Sequence, residues 1–182
     1  MSKTVRRLVA VPIFMVPAFW GNVGLADVSV TYTESAPADI VSLRNNGICE
    51  TGPFTLVIDL STSLGGVIFD TEGGGAGVSS WQSFDAIMGA EYLARPPAVT
   101  DGGLTLTLYI TGMNVGDVLR FGIDLDDTKP ESAMGPTYIE PDEIAGAVAF
   151  IDLGDAGWGG KGPSGTFGPD GRATVPFSAC LS

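Results

Sequence analysis

The residues best placed to do chemistry lie in Phe121-Gly-Ile-Asp-Leu-Asp-Asp-Thr128. Phe121, Ile123 and Leu125 alternate with Gly122, Asp124 and Asp126, the period-2 pattern of a half-buried strand. On such a strand Asp124 and Asp126 share a face, about 6–7 Å apart, with Asp127 just beyond. Carboxylates that close repel unless water or a cation intervenes. A calcium ion takes six to eight oxygen ligands and would resolve the repulsion. Asp142 and Glu143, across a proline-bearing loop, would add ligands if that loop folds back. The competing reading is a solvated acidic strand end. The segment is not an EF-hand, because it lacks the twelve-residue loop, its central glycine and its closing glutamate.

Other catalytic readings find little support. Of the 182 residues none is histidine, which removes Ser-His-Asp and Cys-His catalysis and imidazole metal sites. Two cysteines cannot make a Cys₄ zinc site. Asp70, Glu72, Asp85 and Glu91 add acids without marking out a glycosidase pair. Gly73–Gly77 resembles a phosphate loop in glycine content alone, for no lysine follows it. Nine Lys and Arg against 21 Asp and Glu give a net charge of −12, a poor match to nucleic acid. The chain is therefore expected to be no enzyme and no nucleic-acid binder.

The elements that must carry these residues read as strands. Val28–Thr33, Ile40–Leu43, Phe54–Leu60, Val67–Phe69, Leu104–Ile110, Leu119–Leu125, Ala145–Leu153 and Ala173–Ala179 alternate or run apolar, with turn signals between them. Asn45-Asn46-Gly47 is a strong turn. In Ala145–Leu153 the inward residues are expected to be Val148, Phe150 and Ile151. Trp81–Leu93 is open to a helical turn or two short strands. Gly154–Gly171 reads as a glycine-rich loop with Trp158 as its anchor. No repeat or domain boundary interrupts the pattern. It predicts an all-β fold, a single Ig-like, Greek-key β-sandwich of about 7–9 short strands over residues 27–182.

Residues 1–26 read as a secretory signal peptide. Lys3, Arg6 and Arg7 precede an apolar run from Leu8 to Trp20, and Gly24-Leu25-Ala26 offers small residues at a cleavage point. The run is too short and proline-rich for a good membrane span, so no span is expected after cleavage. The remaining chain would carry −15 and sit in the periplasm or outside the cell. In that oxidising setting Cys49 and Cys180 are expected to form one disulfide. Among the aromatics Trp81 is expected in the core, with Trp158 more exposed; both remain candidates for stacking on sugar.

Three segments carry a family resemblance: Gly66-Val-Ile-Phe69-Asp70, Phe121–Thr128, and Asp142-Glu143-Ile144-Ala145-Gly146-Ala147. With Cys49 they resemble secreted bacterial proteins of the "aggregation factor core protein" type, a label taken from a sponge adhesion proteoglycan. The resemblance implies an extracellular β domain and calcium-dependent adhesion. The expected partner is a surface protein, a glycan or another copy of the chain. The alternative is a carbohydrate-binding or carbohydrate-processing module.

Overall fold

A computed structural model describes residues 26–35, 38–78, 80–129, 135–154 and 160–177. Among these residues eleven strands are formed: β1 (Ala26–Thr33), β2 (Asp39–Asn45), β3 (Phe54–Asp59), β4 (Ile68–Asp70), β5 (Asp85–Met88), β6 (Ala98–Val99), β7 (Thr105–Ile110), β8 (Val118–Asp126), β9 (Val148–Asp152), β10 (Lys161–Thr166) and β11 (Arg172–Phe177). The ambiguous stretch after Trp81 contains both β5 and a single 3₁₀ turn, Ala90–Tyr92. Among the described residues no helix is long and apolar enough to cross a membrane.

The strands make two packed antiparallel sheets. One runs β11-β1-β2-β8-β4, with β5 also on β8, and the other runs β10-β9-β3-β7-β6. Without β4–β6 the connectivity is the Ig-like Greek key: β1-β2-β8 face β10-β9-β3-β7, and β11 extends the first sheet beside β1. The count exceeds seven to nine because the connection from β3 to β7 holds three short strands of its own. Two of these, β4 and β5, dock side by side on one edge of β8.

Alternation sets the core. Leu56 and Ile58 of β3 stand opposite Leu108 and Leu106 of β7, and Leu119, Phe121, Ile123 and Leu125 of β8 face them from the other sheet. The Asn45 turn forms as its sequence suggests. Its side-chain oxygen accepts from the Gly47 amide at 2.9 Å, and its amide nitrogen donates to the Cys49 and Met113 carbonyls at 2.9 and 3.0 Å. Cys49 packs partly buried against the core. Cys180, and with it the expected bridge, lies outside the described residues, as do Trp158 and residues 1–25.

Three expectations need correction. In β9 the inward residues are Ala149 and Ile151, continuing from Ala147 just before it, and not Val148 and Phe150. Phe150 faces the other side of the sheet, where the Lys161 ammonium covers its ring at 4.8 Å. Trp81 is not core; it is 49% exposed. The glycine-rich stretch after residue 154 contains a strand, β10. Gly165 is required there, since a Cβ would sit 2.2 Å from the Thr174 carbonyl oxygen of β11.

Phe121 is fully buried at the centre of the sandwich, whereas Ile48 is 76% exposed. Phe121→Ala should cost about 3–5 kcal/mol, and Ile48→Ala no more than about 0.5 kcal/mol. Urea unfolding measures both. Equal effects of the two substitutions would contradict this packing.

Candidate metal centre

The outward face of β8 carries Arg120, Gly122, Asp124 and Asp126, because the odd residues are turned into the core. The sequence predicts that Asp124 and Asp126 face away from the core together, and they do. They are not solvated, however. Asp124 is 4% exposed and Asp126 1%. The cover comes from the connection between β3 and β7, and it brings a third acid. In the register of β4 on β8, Asp70 stands directly opposite Asp124, and Ile68 opposite Asp126.

Asp70, Asp124 and Asp126 each turn a carboxylate oxygen to a common point, and those oxygens lie within 4.8 Å of one another. The span across one calcium coordination sphere is about 4.6–5.2 Å for bonds of 2.3–2.6 Å. Asp70 is wholly buried. Neither of its oxygens receives a hydrogen bond from a described donor, and the same holds for one oxygen each of Asp124 and Asp126. Among the described residues the one ion pair is Lys161–Asp59, on the opposite sheet. Such an arrangement is strongly unfavourable on its own, since buried charge needs a partner.

The segment after β4 folds over this cluster. The Val78 amide donates to Asp126 Oδ2 at 2.6 Å. Asp124 donates its amide to the Gln82 carbonyl at 3.0 Å. Asp101 pins the same segment, with Oδ1 accepting from the Thr71 and Glu72 amides and Oδ2 from Ala76. Gly77 passes so close that a Cβ would lie 2.2 Å from oxygens of both Asp70 and Asp126. The glycine run that resembles a phosphate loop therefore serves a different end. It lets the backbone close over carboxylates.

The electrostatics follow from this enclosure. Burial, then the nearby Asp126 and Asp101, pushes Asp70 up to about 6. Burial, then the charges of Asp126 and Asp70, pushes Asp124 up to about 7. Burial also raises Asp126, against the pull of the Val78 amide. Beyond Asp124 lies a second set of polar groups. The Tyr32 hydroxyl sits 2.9 Å from Asp39 Oδ1, 3.0 Å from Glu34 Oε2 and 2.8 Å from the Ile139 carbonyl. Burial and Glu34 push Asp39 up to about 9. Its other oxygen accepts from the Leu125 amide and so ties β2 to β8.

The remaining sequence candidates are placed as follows. Asp127 is buried, both its oxygens lack a described donor, and its amide donates to the Pro136 carbonyl at 3.0 Å. Asp142 is exposed. Glu143 accepts from the Glu140 amide at 2.8 Å, capping its own turn. Asp127, Asp142 and Glu143 are not in the converging trio. Asp70, Asp101 and Gly77 were not selected as site residues by sequence reasoning. The available signal was the glycine run directly after Asp70.

No protein-family model matches the chain, and neither the curated proteins nor the solved structures yield a match.

The raised values fix a pH dependence for the metal-free protein. An ordinary Asp titrates at 3.8, whereas folded Asp70 and Asp124 hold their protons to about 6 and about 7. The folded state thus binds more protons than the unfolded chain between these limits. Stability is full below about pH 4 and falls as pH rises through about 6 and 7. With chelator present, the urea midpoint should drop between about pH 5 and pH 8, and excess calcium should remove the part due to Asp70 and Asp124; Asp39, held up to about 9 and outside the trio, adds a fall toward higher pH that calcium leaves in place. A flat midpoint without calcium would contradict the enclosure described.

Proposed function

We propose that the chain is a secreted, non-enzymatic binding domain for adhesion or self-association, stabilised by one calcium ion held by Asp70, Asp124 and Asp126. One observation carries this reading: Asp70 is wholly buried beside two further acids, and both its oxygens lack a donor. A hard dication suits an all-oxygen donor set in a chain without histidine. Asp127, buried and equally without donors, stands next in line as a ligand. The three acids are buried under the segment after β4, and the cavity that reaches Asp124 among the described residues holds only about 80 Å³. That favours a structural ion over a catalytic one.

The ion's work in this reading is mechanical. It converts repulsion between β4 and β8 into attraction and fixes the segment that presents the half-exposed Trp81. The resemblance to aggregation factor core proteins supports the adhesive role. The second reading, a carbohydrate-binding module, draws on that same exposed indole, which stands against Gly73.

Calcium in large excess over its dissociation constant should raise the melting temperature by about 5–10 °C. Asp70→Asn should abolish that rise while leaving the metal-free protein folded. Light scattering should show a calcium-dependent rise in mass that Asp70→Asn removes. A monomer in both calcium and chelator would contradict self-association, and an unchanged melting temperature would contradict the ion.

A further inference from the structure

The outer face of the first sheet has a second feature, beside the metal centre and of opposite sign. Arg44, Arg120 and Arg172 line one groove of about 480 Å³. They are three of the six bases in the described residues of a net-acidic chain. Their placement is set by register. Arg172 pairs with Thr31, Thr31 with Ser42, and Ser42 with Arg120, forming one line across β11, β1, β2 and β8. The two terminal arginines are three strands apart, about 14 Å at the backbone. Arg44 stands in the adjacent line, opposite Ser29.

The three guanidiniums are exposed, and none has an ion-pair partner among the described residues. The floor between them is hydroxylic. Ser29 is buried and accepts from the Asn46 side-chain amide at 2.5 Å, while Thr31 and Ser42 are half-buried. Guanidinium forks match carboxylate and sulfate oxygens in pairs. Side-chain hydroxyls and amides match the hydroxyls of a sugar.

We infer that this groove binds an anionic saccharide, its carboxylate or sulfate groups held by Arg44, Arg120 and Arg172 and its hydroxyls by Thr31 and Ser42. The volume lies within the range of small-ligand sites, about 300–1,000 Å³. A nucleic acid fits poorly, because the lining offers no aromatic ring on which a base could stack. A second copy of the chain fits less well than a sugar, since Met88 and Val118 are the only apolar side chains in the lining and protein interfaces centre on a larger apolar anchor. The inference is independent of the calcium reading, for none of these residues is a proposed ligand of the ion.

Calorimetric titration tests it with a hyaluronan oligosaccharide, a sulfated dextran oligomer and neutral dextran. Binding of a charged oligomer and none of neutral dextran is expected. Whether the first or the second binds separates carboxylate from sulfate recognition. Arg120→Gln with Arg172→Gln should weaken binding by at least about tenfold. Arg95→Gln, whose guanidinium stacks 3.5 Å from the Tyr109 ring on the other sheet, should leave it unchanged. Asp70→Asn should also leave it unchanged, so failure of the calcium reading and failure of this one give different results. The inference is overturned by binding that survives the double substitution, by equal binding of neutral dextran, or by no binding of either charged oligomer. A self-association lost on the double substitution would assign the face to a second copy instead.

Discussion

Asp70 and Asp124 stand opposite each other on paired strands, with Asp126 beside them and no ion-pair partner among the described residues. Like charges directly opposite destabilise a sheet even in water. Here they are also shut away from water, where the repulsion is screened least. The chain meets this constraint in two ways. It raises the affinity of these acids for protons, and it gathers one oxygen of each within 4.8 Å of the others, a spacing one cation could bridge. Much of the local architecture is intelligible only as a response to that charge: the glycines that close over it, the Val78 amide aimed at Asp126, and the Asp101 clamp holding the cover in place.

The Ig-like frame supplies the platform and the insertion between β3 and β7 supplies the site. β8 is long enough to offer its free edge twice, to β5 along its first half and to β4 along its second. Its outer face is divided in the same way. Arg120 opens onto the groove, while Asp124 and Asp126 lie under the cover. One strand thus carries a basic end and an acidic end, four residues apart. The same strand sets an exposed basic groove beside a buried acidic cluster.

The sequence was informative wherever a pattern is local. Alternation located β3, β7 and β8, and the i, i+2 rule put Asp124 and Asp126 on one face. It was uninformative wherever burial or pairing is nonlocal. Nothing within β8 tells that Gly77, Val78 and Gln82 will come to lie over its acids, so the solvated reading and the metal reading looked alike. Asp70 precedes Asp124 by 54 residues, and only strand register unites them. Before and within β9 the inward side begins with Ala147 and Ala149, so the larger Phe150 misdirected the parity. In β10 glycine answers the close approach of β11, although the same glycines read locally as a loop.

The central claim is that the three carboxylates form one cation site. Titration of calcium into chelator-stripped protein, by calorimetry in two buffers of different ionisation heat, addresses it most directly. The account predicts one ion per chain and a buffer-dependent heat near pH 6.5. That heat arises because Asp70 and Asp124, held to about 6 and about 7, release protons as the ion enters. Asp70→Asn should weaken the binding and reduce the proton release. Absence of stoichiometric binding, or binding with the same affinity and proton release in Asp70→Asn, would contradict it.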